Sequence, residues 1–536
     1  MSENNSQKAN KKLLKSGLSL SLLTFLSRIM GLVREMTKAA FLGTSMFADA
    51  FTTSFMIPNL LRRLFAENAV SVAFIPTFKK YISEGDDFEH KKNTQEFLNA
   101  TFTLVSFCTT VVVVVGIIIT PLLTPLFTDK NSADFLLKQE EITILTRIMF
   151  PYLIVISVAA LFQGILNTCG IFAPSGFTPV LFNGIVILGT YILAPYTKNP
   201  ARAMSIGVIV GGCVQAVFQL PFVLKTGWKI SFTSLKKTFS NPGTKKVIAL
   251  IGPTVIGMAA YQLNDLVCTS IANKAAEGIA SSLQYSLRLQ ELILGIFVVS
   301  ISTVILPDLS GFANEKNWTS FNEMLIQAVK IVTLISIPVT AYSLVSGEEL
   351  ISVLYKTKKF GDESVMLTLG EFRYHIAGLL FIGLNRIIAP AFYAQSNTKL
   401  PTIAGIISFI SNIIFAIVLV NPMSGNGIAL ALSLASGMNT IFLFLFMRKM
   451  ASFDIKKLLK EELIYILKIT IFSVIAAVPT FFVRRWAINI FAGHGRLISY
   501  GLPILFTAIV FAIIGVGLLI ISGDKMTKAV LKKVKK

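Results

Sequence analysis

Apolar residues run through this chain in long unbroken blocks, such as Val111 to Thr120, separated by short stretches rich in lysine, glycine and proline. A bilayer hydrocarbon core needs roughly 20 apolar residues per crossing helix. On that measure the pattern predicts fourteen spans, near 17–43, 47–80, 95–127, 139–168, 175–196, 201–225, 246–272, 279–309, 319–346, 365–394, 400–421, 426–448, 461–488 and 496–522. No compact extramembrane domain fits between them. The blocks are too long for the alternating strands of about ten residues that build an outer-membrane barrel. The expected fold class is an all-α polytopic membrane protein.

Composition agrees. Hydrophobic residues make up 54% of the chain and charged residues 14%, against about 45–50% and about 25% in soluble proteins. Mean hydropathy is +0.70, and 42 phenylalanines exclude a disordered chain. Cys108, Cys169, Cys213 and Cys268 lie in apolar stretches without redox or metal spacing and are expected as small core residues.

The formal net charge of +21 changes the picture once it is sorted by position. Lysines crowd alternate loops: Lys79, Lys80, Lys91 and Lys92; Lys225, Lys229, Lys236, Lys237, Lys245 and Lys246; Lys449, Lys456, Lys457 and Lys460 beside Arg448. Both termini are basic, with Lys8, Lys11, Lys12 and Lys15 at one end and Lys525 to Lys536 at the other. Under the positive-inside rule both ends are cytoplasmic, which requires an even helix count. Lys356, Lys358 and Lys359 are a small exception on the opposite side. The first apolar run carries Arg28 and Arg34 and lacks a small-residue cleavage site, so it reads as a retained helix. Lysine near anionic lipid accounts for most of the excess charge, and nucleic acid is not needed.

Weak internal similarity recurs six helices apart. Ser71-Val-Ala-Phe-Ile-Pro76 is matched by Ser302-Thr-Val-Ile-Leu-Pro307, Asn183 by Asn412, and Phe150-Pro-Tyr152 by Phe372-Arg-Tyr374. Six is even, so the repeats would be parallel, as in transporters whose substrate binds between two lobes. The expected organisation is a cytoplasmic segment 1–16, a six-helix lobe 17–225, a basic linker 226–245, a second six-helix lobe 246–448, two extra helices within 449–522, and a basic tail 523–536.

The second population of charge lies inside spans. The first span contains Ser27, Arg28, Gly31, Arg34, Glu35 and Lys38; the second contains Asp49, Asn59, Arg62, Arg63 and Glu67. An ionised residue at the helix centre costs about 2.5–3.5 kcal/mol on insertion scales, so Arg28, Arg34, Arg62 and Arg63 must face protein or water. Helical spacing puts Ser27 and Arg34 on one stripe, Arg28 and Glu35 on the next, and Asn59, Arg63 and Glu67 on a third. Arg288 and Glu291 pair at i, i+3 in the eighth span, and Arg147, Arg373 and Arg386 add cations elsewhere. Internal salt bridges and snorkelling explain some of these. Carboxylates are too few to neutralise all, and a cationic cavity suits an anionic, phosphate-bearing ligand.

Enzyme chemistry finds little support. His90 and His494 lie in loops, His375 in a span, and no carboxylate cluster lies at membrane depth. Asp86, Asp87 and Glu89 form a solvated loop run, and Asn264 and Asp265 read as structural. No repeated filter-like segment points to a channel.

These residues carry a resemblance. Ser27-Arg-Ile-Met-Gly-Leu-Val-Arg34, Ala48-Asp-Ala-Phe51 and Ile57-Pro-Asn-Leu-Leu-Arg-Arg-Leu-Phe-Ala-Glu67 closely resemble the MurJ (MviN) family. So do Phe150-Pro-Tyr152, Ile165-Leu-Asn-Thr168, Leu306-Pro307 and Ala389-Pro-Ala-Phe-Tyr393. That family belongs to the multidrug/oligosaccharidyl-lipid/polysaccharide exporter superfamily, and its members flip lipid II, the undecaprenyl-pyrophosphate-linked peptidoglycan precursor, across the bacterial cytoplasmic membrane.

The resemblance implies that Arg28, Arg34 and Arg288 hold the pyrophosphate and sugar head group. Arg62, Arg63 and Asn59 would join them, while Asp49 and Glu67, with Ser27 and Gly31, shape the gate and cavity. The last two helices would form a groove for the lipid tail. Four positions depart from the family pattern: Glu35 replaces a common Asp, Leu287 precedes Arg288 where relatives often carry Asp, and Cys268 and Ala416 stand where sodium-binding members place carboxylates. Membrane potential or a proton is then favoured over sodium as the coupling force. No cofactor is expected, the partners are lipid II and membrane lipids, and the protein should be a monomer. The alternatives are an exporter of another polyprenyl-linked saccharide or a drug, and a non-transporting cell-wall scaffold.

Overall fold

The computed structural model describes the backbone of residues 2–67, 69–85, 87–130, 132, 134–524 and 526–528, and their side chains except at 2–21, 65–67, 69, 253–261 and 296–304. It forms two compact units, Met1–Lys274 and Ala275–Lys536. The first contains α1 (Ser2–Leu42), α2 (Met46–Leu61), α3 (Ile75–Ser83), α4 (Phe88–Leu123), α5 (Phe135–Met149), α6 (Tyr152–Thr168), α7 (Ala173–Leu193), α8 (Pro200–Lys225), the short α9 (Leu235–Ser240) and α10 (Pro242–Ala275). The second contains α11 (Ile279–Asn314), α12 (Trp318–Tyr355), α13 (Asp362–Ala377), α14 (Leu379–Tyr393), α15 (Lys399–Met423), α16 (Gly425–Met447), α17 (Ile455–Phe491) and α18 (Leu502–Ile521).

All fourteen expected spans are helical. Among the described residues nine helices are long and apolar enough to cross a membrane, and α13 with α14, bent by 40°, makes a tenth. The four spans outside that set fall on α1, on α2 with its continuation, on α10 and on α11. The first two carry the in-membrane charges, and the last two include residues whose side chains lie outside the described set.

Proline and glycine set the breaks and close contacts. Pro151 lacks an N–H and marks the break between α5 and α6. Gly378 divides α13 from α14, and a β-carbon there would come within 3.0 Å of Ser433 on α16. Gly189 and Gly207 let α7 and α8 touch backbone to backbone, since a β-carbon at 189 would lie 3.2 Å from the Gly207 Cα. Small residues serve this purpose in membranes, where apolar side chains gain little by leaving lipid.

The core of the first unit has two parts. One gathers Ala48, Phe51, Ile142, Leu145, Met149, Phe150 and Val186. The other is aromatic, with Phe74 stacked on Phe78 and Phe97, and Tyr81 on Phe97. Beyond it an extended segment runs along α4. Gln95 exchanges hydrogen bonds with the Lys229 backbone, Asn99 Oδ1 accepts from Ser231 N at 3.2 Å, and Thr103 Oγ1 accepts from Thr233 N at 3.0 Å.

The cysteines correct one expectation. Cys108, Cys169 and Cys213 point outward and Cys268 is half-buried. In a chain that faces lipid, an apolar position is as well placed on the outside as in the core.

Candidate functional site

The cations of the first span divide by depth. At 1.5 Å per residue, Arg28 stands about 21 Å from the C-terminal end of α1 and Arg34 about 12 Å. Arg34 Nη2 pairs with Glu35 Oε1 at 2.8 Å, and Lys38 Nζ lies 3.0 Å from Glu35 Oε2. Lys38 also reaches Thr52 Oγ1 of α2 at 3.4 Å, and the Arg34 guanidinium stands 5.6 Å from the Phe55 ring centre. One carboxylate thus serves two cations at this end of α1, which is braced on α2. Arg28 is half-buried and makes no ion pair or hydrogen bond with the described residues. Ser27 is half-buried beside it. Gly31 faces α7, where a β-carbon would stand 3.9 Å from Asn183 Nδ2.

In the second span Asn59 and Arg63, placed on one stripe by helical spacing, take different partners. The backbone turns π-helical at Arg62–Glu67 and again at Ala69–Phe74. Asn59 accepts from Arg62 Nε at 2.9 Å. Arg63 turns to α10, donating to Gln262 Oε1 at 3.2 Å and lying 3.6 Å from Asp265 Oδ2. Asp265, read from sequence as structural without a visible partner, is an arginine's counter-ion. The Glu67 side chain lies outside the described residues.

Asp49 is 0% exposed and accepts from Lys138 Nζ of α5 at 3.2 Å. The pair braces α2 against α5, and Ser54 adds a bond to the Ile142 carbonyl at 3.0 Å. Arg288 belongs to the second unit and pairs with Glu291 at 2.7 Å, both partly exposed.

Arg147 has a structural explanation. Pro121 has no N–H, which leaves the Ile117 carbonyl without its helical donor, and Arg147 Nε supplies one at 3.2 Å. Other polar clusters escaped sequence reasoning. Arg202 clamps Glu141 with bonds of 3.0 and 2.8 Å, and Arg484 of α17 binds Glu349 and Glu348 of α12. Their partners lie 61 and more than 130 residues apart, beyond the reach of any helical spacing rule. No group of three or more metal-ligating side chains occurs among the described residues.

Outside the spans the shifted groups include Asp524 and Lys356. Asp524 is pushed up by burial but held below the ordinary aspartate value by Lys468 and Thr527. Asp362 and the Tyr500 hydroxyl raise the Lys356 ammonium above the ordinary lysine value.

Helices of this kind, broken and packed through glycine with arginine inside, define a polytopic helical membrane protein. Residues 38–500 match the family model described as "Lipid II flippase MurJ". A probable lipid II flippase MurJ of Treponema pallidum is 47% identical over 530 residues, covering 98% of this chain and 99% of the relative. Its counterpart in Vibrio cholerae is 34% identical over 441 residues, covering 81% and 83%. A solved lipid II flippase MurJ in an inward closed conformation superposes with a TM-score of 0.74 at 28% identity, covering 93% of this chain and 98% of that one. An inward-facing multidrug resistance MATE family transporter of the MOP superfamily shares the fold alone, with a TM-score of 0.64 at 14% identity, covering 81% of this chain and 96% of that one. The chain belongs to the lipid II flippase MurJ family, multi-pass proteins of the bacterial inner membrane.

Proposed function

We propose that this protein flips lipid II across the cytoplasmic membrane by alternating access, for peptidoglycan synthesis. The observation that carries the reading is the concentration of Arg28, Arg34, Arg62, Arg63 and Arg288 within the expected spans. Around Arg34, Glu35 serves two cations. Arg28 stands apart from any described carboxylate. In this reading Arg28, Arg34, Arg62, Arg63 and Arg288 replace the hydration of the pyrophosphate, with Asn59 orienting Arg62, while the polyprenyl chain stays in lipid along α17 and α18. Guanidinium forks match phosphate oxygens in geometry, which favours this cargo over cationic drugs. Both termini are taken as cytoplasmic and the protein as a monomer, organised as two six-helix lobes with two further helices.

The test is complementation of a flippase-depleted bacterium. Arg28→Ala and Arg288→Ala should each abolish growth while the protein still inserts in the membrane. Normal growth with both changed would sink the assignment. Head-group accessibility of labelled lipid II in the same cells separates a flippase from a scaffold.

A further inference from the structure

The second unit holds a buried polar ladder that the arginines do not explain. Glu371 and His375, one turn apart on α13, are 0% and 3% exposed. α11 meets them with Ser282, Ser286 and Gln290 at the same four-residue spacing, all 1% exposed or less. Ser282 Oγ donates to Glu371 Oε1 at 2.8 Å, and Ser286 Oγ shares a hydrogen bond of 2.7 Å with His375 Nδ1. Gln290 Nε2 donates to the His375 carbonyl.

α16 closes a third side. A β-carbon on Gly425, the first residue of α16, would come within 3.0 Å of Glu371 Oε1, and one on Gly370 would do the same to Asn426 Oδ1. The carboxyl therefore sits where α11, α13 and the start of α16 converge. The first amides of a helix lack helical partners and carry positive partial charge, which favours an ionised carboxylate there.

Glutamine would make the same bond to Ser282 without a buried charge. An ionisable side chain kept fully buried at that cost points to a use for its proton. We propose that Glu371 and His375 form a proton-binding site that couples transport to the proton gradient. Ionised, Glu371 clasps Ser282 of α11 and the start of α16; protonated, it loses the charge-assisted part of both contacts. The step is the transfer of one proton from water to a carboxylate oxygen, with no other bond made or broken. His375, one turn along, is the second base in the site.

Few other titratable groups bear on it. α16 has none over Gly425–Met447. On α11 Tyr285 packs against Tyr355 of α12 and Phe360, and Arg288 faces Glu291. On α12 Glu348 and Glu349 are held by Arg484, and Tyr342 is bonded to Ile504 and Thr507. α14 carries Arg386 and Tyr393. α13 itself carries Glu363, Arg373, Tyr374 and Asp362, the last paired with Lys356.

This inference rests on the flippase reading, and the experiment separates the two. The full chain is reconstituted in vesicles with lipid II, a pH difference is imposed, and flipping is read by head-group accessibility. Wild type should change rate severalfold with the gradient, Glu371→Gln should flip at a rate indifferent to it, and His375→Gln should shift the midpoint of the pH profile. A glutamine variant that follows the gradient as wild type does overturns the proposal, as does an indifferent wild type. Should Glu371→Gln fail to fold, Glu371→Asp replaces it: a displaced midpoint supports the site, and an unchanged one overturns it. If the chain moves no lipid II at all, the flippase reading fails. Infrared titration of substrate-free wild type and the position-371 variant then decides the proton site. A carboxyl band altered by the substitution supports it, and identical titrations overturn it.

Discussion

Replacing Lys138 by methionine keeps the side chain's bulk and removes its charge. Its partner Asp49 is 0% exposed and held at 3.2 Å, so Lys138→Met takes the paired charge away from a carboxylate that water cannot reach. Breaking a buried pair from one side costs about 3–5 kcal/mol, whereas replacing both partners by groups of similar shape is often neutral. Lys138→Met should therefore lower thermal stability in detergent sharply, and Asp49→Asn combined with Lys138→Met should regain most of the loss. The four proteins of this cycle, followed by fluorescence-detected size exclusion on heating, give the coupling directly. A single Lys138→Met change worth less than about 1 kcal/mol would refute the reasoning, because it would mean the carboxylate finds water or a proton at little cost. The double variant also separates two roles for Asp49. A pure brace predicts that complementation returns with stability, while a part in gating predicts stability without growth.

Two further outcomes follow from local chemistry. Pro121→Ala returns a donor to the Ile117 carbonyl, so Arg147→Leu should cost about 1 kcal/mol less on that background than in wild type, as a thermal-shift cycle would show. Asp524 titrates below its unfolded value, so its contribution is present above the ordinary aspartate range and lost as pH falls through the lower folded value. Asp524→Asn should flatten that acid limb of the stability profile, and an unchanged limb would assign it to other carboxylates.

Span positions were legible because hydrophobic runs of bilayer length have few alternative fates. The arginines of the first two spans were legible for the opposite reason, since charge there has no cheap explanation. What those arginines touch was hidden. Arg63 finds Asp265 some 200 residues away, and Asn59 turns to Arg62. Lys138, beside Glu140 and Glu141, reads as an ordinary loop-end charge until the fold brings Asp49 to it. Glu371 and His375 were visible as letters, but only tertiary packing gives them the hydroxyls of α11. The cysteines misled because hydropathy alone does not tell a lipid-facing wall from an interior.

The segment along α4 works like a vernier. Four helical residues advance about 6.0 Å and two extended residues about 6.6 Å, so the rungs at Gln95, Asn99 and Thr103 meet Lys229, Ser231 and Thr233 nearly in step. The scales drift by about 0.6 Å per rung, which limits the ladder to a few rungs before donor and acceptor part. Such a fastening reads chain length. One residue added within 229–233 would turn alternate amides away from their acceptors, whereas a residue added outside the ladder would leave every rung in register.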